Sequence, residues 1–377
     1  MRVPMLSRAP IFLLVLLVSC QTITEPDILG DTDPLPEATG LRVLGYHPWW
    51  SGEAWRDYDF DTLDGVYFFS LEVGPDGQIV NDRGWPSAWQ DLIATARSTD
   101  TPIMPSVTIL DADTYLRVFT DSAATANLTA ELIDLASDVS ADGVHLDFEM
   151  FEPVTPAARD AVTKLVSDLR SGLTLRHSEA TVTMYMLAED PGDVLDEVAL
   201  APHLDRFIVQ AYDLHWQSGP VAGPVAPIEG WGGRNWGSIL NTFVSYGIEP
   251  SKMLFTVPYF GYEWPTVDYL PGSETTGPGA ILAYGSGSAD LPSARDRAAE
   301  YGKLRDASSG SPYYAYRDSL GWRQGWFEDA QSIADKYYFA ASRGLGGVAI
   351  FPLSYGDPEL LATLAHARAL KQIVVAP

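Results

Sequence analysis

The chain has 377 residues, 46% of them hydrophobic, with 11 Trp, 18 Tyr and 14 Phe. That excludes a disordered chain and allows one or two domains around a large core. A formal charge of −26 repels phosphate backbones and argues against nucleic-acid binding, while leaving the fold open.

Arg2 and Arg8 precede an apolar run at 11–18 that is too short to span a bilayer and has the form of a signal-peptide core. It ends in Leu17, Val18, Ser19 and Cys20, the single cysteine of the chain. This ending resembles a bacterial lipobox. The resemblance implies a signal peptide over 1–20, lipidation of Cys20, and an exported lipoprotein held to the membrane by its lipid alone. The alternative is a plain secretory signal with a chance cysteine. Gln21 follows, so the aspartate that marks inner-membrane retention is absent; outer membrane or cell surface is expected. No intrachain disulfide can form, and residues 21–40, rich in Pro, Asp and Thr, predict an extended tether.

From residue 41 short apolar runs alternate with helical patterns. Strands are predicted at 42–46, 65–71, 102–109, 143–149, 180–187, 206–213, 252–264 and 344–353. After the fourth, Val162, Leu165, Val166, Leu169 and Leu173 mark one helical face, with Thr155 as cap and Pro156 in the first turn. Eight strands alternating with helices predict an α/β fold, the (β/α)8 barrel. No Gly-rich phosphate loop follows any strand, which counts against a doubly wound sheet. The rhythm breaks between the seventh strand and the last barrel helix, predicted in the stretch beginning Asp329, where a small α+β insertion is expected at about 266–328.

The fourth strand carries the chemistry. In "DGVHLDFEMF" (142–151) Asp142 opens a run in which His145, Asp147 and Glu149 recur at every second position. Alternation turns Val144, Leu146 and Phe148 outward and the three polar side chains into the barrel. Glu149 lies at the C-terminal end, where barrel enzymes place their chemistry. Two carboxyls at i and i+2 are about 6–7 Å apart at the backbone; their charges couple, and the more buried one tends to hold a proton, as a general acid requires. Either these residues form an internally satisfied polar layer or they are a catalytic site.

The surrounding residues resemble glycoside hydrolase family 18, the chitinase and endo-β-N-acetylglucosaminidase family. "DGVHLDFE" is similar to its D-G-x-D-x-D-x-E signature and "GYHPWW" to its first strand. "QAYDLHW" resembles the sixth-strand M-x-Y-D motif and "VPYFGYEW" the seventh-strand segment. "GLGGVAIFPLSYGD" resembles the eighth-strand ending and "FEDAQSIADKYYFA" the stretch before it. The resemblance spans about 42–360. It implies a (β/α)8 barrel and substrate-assisted retaining hydrolysis, an exception to the two-carboxylate scheme. By resemblance, Glu149 protonates the glycosidic oxygen, Asp147 binds the substrate's acetamido N–H, Tyr212 bonds its carbonyl, and Asp213 contacts the sugar in the cleaved subsite. Asp142 and His145 would support them. Trp49, Gln210, Trp216, Tyr259, Trp264 and Phe351 are the candidate substrate-binding residues.

The implied partner is an N-acetylglucosamine-containing oligo- or polysaccharide (chitin-type, peptidoglycan or N-glycan) cut at β-1,4 linkages. No metal and no cofactor are implied; His47 and His215 have no metal-ligand spacing. A monomer is expected. The sequence departs from the family in four places, one of them Gln210 where the sixth-strand motif has Met. His145 replaces the usual second aspartate, which predicts a shifted pH profile. The third strand lacks S-x-G-G, and Phe351 stands where a Trp commonly floors the subsite. The competing reading is a non-catalytic carbohydrate-binding lipoprotein on the same barrel.

Overall fold

The computed structural model describes residues 40–188, 192–285 and 291–375. The predicted signal peptide, Cys20 and the tether up to residue 39 lie outside them. Among the described residues eight parallel strands close a barrel: β1 (Arg42–Pro48), β2 (Gly65–Val73), β3 (Ile103–Ile109), β4 (Gly143–Phe148), β5 (Thr181–Met186), β6 (Arg206–Val209), β7 (Met253–Pro258) and β8 (Gly347–Phe351). β1 pairs in parallel with both β2 and β8, which closes the ring.

Strand alternation sorts the side chains into two layers. Val144, Leu146 and Phe148 of β4 join the apolar layer between barrel and helices. Leu44, Tyr46, Tyr67, Met104, Ile208, Leu254 and Ala349 fill the interior. The helix Pro156–Arg176 supports β4 from outside. Thr155 caps it by accepting the Ala158 N–H, Pro156 occupies its first turn, and its five predicted apolar residues are all buried. At this scale of burial each such side chain contributes about 1.5–3 kcal/mol. Gly143 is dictated by space: its φ is +149°, and a Cβ there would lie 2.0 Å from the Thr181 carbonyl oxygen of β5.

Two expectations are corrected. The predicted strand 252–264 is two elements: β7 stops at Pro258, and the chain turns at Tyr259 into Phe260–Thr266. The latter belongs to a separate antiparallel sheet, ordered Ala280–Ala283, Phe260–Thr266, Gly321–Trp326, Pro312–Asp318, Leu304–Arg305, with the helix Ala294–Tyr301 against it. The second concerns the helix Ala330–Ser342, which leads into β8 but is not the last. Pro358–Val375 follows and packs on it.

Candidate active site

The C-terminal ends of the barrel strands open into a cavity of about 840 Å³, within the usual range of small-ligand sites. β4 delivers Asp147 and, one step beyond its end, Glu149; both line the cavity. The Glu149 N–H is held by the Ile109 carbonyl at the end of β3 (2.8 Å). β1 contributes Tyr46, β2 Phe69, β5 Tyr185 and β8 Phe351. The chain leaving β6 adds Gln210, Tyr212 and Asp213, and its loop adds Trp216 and Arg234. The inserted sheet supplies Phe260, Tyr262 and Ile281.

Beneath Asp147 sits His145, fully buried. One ring nitrogen shares a 2.9 Å hydrogen bond with the Tyr46 hydroxyl and the other a 2.9 Å bond with Thr183. Tyr67 stacks on the imidazole at 4.5 Å. Burial pushes His145 down to about 3, so the ring is neutral at ordinary pH. Both nitrogens are engaged elsewhere, so His145 does not hydrogen-bond Asp147. His145 is a fixed neutral support beneath the carboxyl pair.

The carboxyls are the opposite case. Burial, then the charge of Glu149, hold Asp147 well above the ordinary carboxylate range. Burial, then the charge of Asp213, push Glu149 up to about 7. Asp213 is pushed up to about 6 by burial, opposed by a 2.9 Å hydrogen bond donated by Tyr262. Such a group resists complete ionisation and keeps a proton near neutral pH. Buried Oδ1 of Asp147 has no hydrogen-bond partner in the protein, an acceptor left unsatisfied on a residue that lines the cavity.

Other predicted residues separate. Gln210, Trp216 and Phe351 line the cavity, with Phe351 stacked 6.1 Å from Tyr212 and Trp216 carrying the Arg234 guanidinium 5.4 Å from its ring centre. Three aromatic predictions fail. Trp264 is fully buried in a cluster with Phe260, Tyr262 and Trp326 of the inserted sheet, its Nε1–H spent on the Gln217 carbonyl. Tyr259 is buried at the corner where β7 turns, away from the cavity lining. Trp49 is 37% exposed but lies outside the lining, under Arg83. Its neighbour Trp50, 46% exposed, lines the cavity against Phe69 instead. Asp142 sits at the opposite end of β4, where its carboxylate accepts the Ile103 N–H (2.9 Å); its role is to pin β3 to β4.

Tyr46, Phe69 and Tyr185 were missed although period-two alternation marks them as interior. Tyr262 carried no signal, because its sheet is an insertion. Among the described residues no group of His, Cys, Asp and Glu is arranged to hold a metal ion, and no helix is long and apolar enough to cross a membrane.

Proton-retaining carboxyls at the open end of a parallel barrel, between aromatic walls, are the equipment of a glycosidase. The family model "Glycosyl hydrolases family 18" matches residues 42–356, and the chain belongs to that family. It is similar to di-N-acetylchitobiase of Homo sapiens, with 23% identity over 354 residues, 85% of this chain and 82% of that protein. It is also similar to the cortical fragment-lytic enzyme of Bacillus anthracis, with 20% identity over 304 residues, 78% of this chain and 65% of that one. In fold it resembles the family GH18 chitinase from Cycas revoluta solved with allosamidin: TM-score 0.76, 19% identity, 87% of this chain and 99% of that chain.

Proposed function

We propose that the chain hydrolyses β-1,4 linkages next to N-acetylglucosamine by substrate-assisted retention, with Glu149 as the acid. The observation that carries the reading is the pairing of Glu149, pushed up to about 7, with a buried Asp147 whose Oδ1 is unpartnered. A carboxyl that holds its proton near neutral pH can give it to the glycosidic oxygen as the C–O bond breaks. The acetamido carbonyl of the same sugar then attacks the anomeric carbon and closes an oxazolinium ring. Asp147 accepts the acetamido N–H and turns the carbonyl towards that carbon. The Tyr212 hydroxyl hydrogen-bonds the carbonyl oxygen. Water, deprotonated by Glu149, opens the ring, restores the acetamide and leaves Glu149 protonated again.

The similarity to a di-N-acetylchitobiase supports an N-acetylated substrate; chitin-type oligosaccharide, peptidoglycan and N-glycan are the candidates from the family resemblance. Export as a lipoprotein through Cys20, to the outer membrane or cell surface, is part of the same proposal and rests on the sequence pattern alone. Incubation of soluble residues 21–377 with a short N-acetylglucosamine oligomer tests the hydrolysis. Cleavage by the wild type and a loss of about 10²–10⁴-fold in Glu149→Gln are expected; binding without cleavage would favour the carbohydrate-binding alternative.

A further inference from the structure

Tyr262 lies on Phe260–Thr266, the strand that joins barrel to inserted sheet, and is paired with Ile281 on one side and Trp326 on the other. Alternation puts Phe260, Tyr262 and Trp264 on the face turned to the barrel. The Tyr262 ring is wedged between the other two, 5.5 Å from Phe260 and 5.3 Å from Trp264, and is 6% exposed. Packing therefore fixes where its hydroxyl points. That hydroxyl donates a 2.9 Å hydrogen bond to Asp213 Oδ1.

Asp213 needs such a hold. It sits at φ +56°, a left-handed conformation uncommon outside glycine, on chain that has already left β6. A residue in that region stays there because its surroundings over-determine it. The barrel supplies Asp213; the inserted sheet supplies its hydrogen-bond donor.

We propose that Tyr262 is a positioning residue of the active site, holding Asp213 ionised and aimed at Glu149, so that the inserted sheet completes the acid. The proposal rests on the reading of Glu149 as the acid. The titratable groups lining the same cavity are Asp147 from β4 and Glu149 just past its end, Glu152, Tyr46 from β1, Tyr185 from β5, Asp193, Tyr212 beside Asp213, Arg234 and Tyr355. Burial raises Asp213 to about 6 and the Tyr262 bond opposes it. Asp213 is in turn the charge that helps to raise Glu149. A phenol O–H donated to a carboxylate favours the ionised form. Without it Asp213 keeps its proton to higher pH, ceases to repel the Glu149 carboxylate over that range, and Glu149 loses its own proton earlier.

The test is Tyr262→Phe in the otherwise intact chain, read in two ways. On an N-acetylglucosamine oligomer, kcat is expected to fall with KM little changed. The alkaline limb of the pH profile is expected to move down by roughly half to one pH unit, the size of a single hydrogen bond to a carboxylate. By carboxyl NMR, the Asp213 midpoint is expected to rise. Asp213→Asn should move the alkaline limb in the same direction, and Tyr262→Phe added to it should move it no further. An Asp213 midpoint that stays put in Tyr262→Phe, or an activity loss with an unmoved limb, overturns the proposal. A wild type idle on every oligomer, or a Glu149→Gln variant as active as the wild type, sinks the acid reading instead, and the NMR titration then decides on Tyr262 by itself.

Discussion

The imidazole of His145 and the phenol of Tyr46 share a 2.9 Å hydrogen bond inside the barrel, and Thr183 takes the other ring nitrogen. A neutral imidazole donates to one of these and accepts from the other. The position where the family usually has an aspartate is thus a neutral hydrogen-bonding post.

Its folded value of about 3 lies below the unfolded value near 6.5. The unfolded chain binds the proton first on acidification. The stability tied to a neutral His145 is therefore fully present above about pH 6.5 and lost as pH falls towards 3. Compared with His145→Gln, the wild type is expected to lose about 2 kcal/mol more between pH 6.5 and 5. Urea unfolding at both pH values measures it; parallel losses in the two proteins would contradict a buried neutral ring.

Glu149 reports the reverse linkage. Its folded value, about 7, lies above the ordinary glutamate value of 4.5, so the folded state is favoured below pH 4.5 and that advantage disappears as pH rises through 7. Glu149→Gln removes the ionisable group. It should melt at a higher temperature than the wild type at pH 8, with the gap closing near pH 4, while being the least active variant. Calorimetry at the two pH values checks the crossover.

Asp147 is expected to read the acetamido group. Substrates carrying glucose or unacetylated glucosamine at the cleaved position should turn over at least about 100-fold more slowly, because they lack the acetamido carbonyl that acts as nucleophile. Chromatography of the products from matched oligomers is the measurement, and equal rates would remove the sugar's carbonyl from the mechanism.

Trp50 and Trp49 separate binding from packing. Trp50→Ala should raise KM several-fold, roughly the 1 kcal/mol or so of a lost aromatic contact, since its half-exposed ring lines the cavity. Trp49→Ala, outside the lining, should leave KM within about twofold.

Lys336 and Glu328 form a fully buried ion pair of 2.6 Å, with burial holding Glu328 above its usual range despite the lysine. Lys336→Met leaves that carboxylate without its partner and is expected to cost about 3–5 kcal/mol, whereas the double change with Glu328→Leu should recover most of it. Denaturant midpoints of the two variants decide.

Much of the architecture was legible because it is written in local periods. The period-two run through His145, Asp147 and Glu149 and the 3.6-period face from Val162 to Leu173 each describe one element against one neighbour. Gly143 was quotable from its motif, although only the approach of Thr181 explains it. Trp264 and Tyr259 misled for a complementary reason: an aromatic residue in a motif looks the same whether its ring floors a cavity or fills a core.

The sequence by itself determined the alternation of strands and helices, the inward carboxyl pair on β4, the capped helix behind it and the family resemblance. All of these rest on neighbours along one strand or helix. Only the tertiary structure decided that His145 is neutral, that Trp50 rather than Trp49 faces the cavity, and that Tyr262 reaches Asp213 across 49 positions of sequence. Burial and charge are sums over residues distant in the chain. Their effects on a proton or a ring therefore exist only once the barrel has closed and the inserted sheet lies over it.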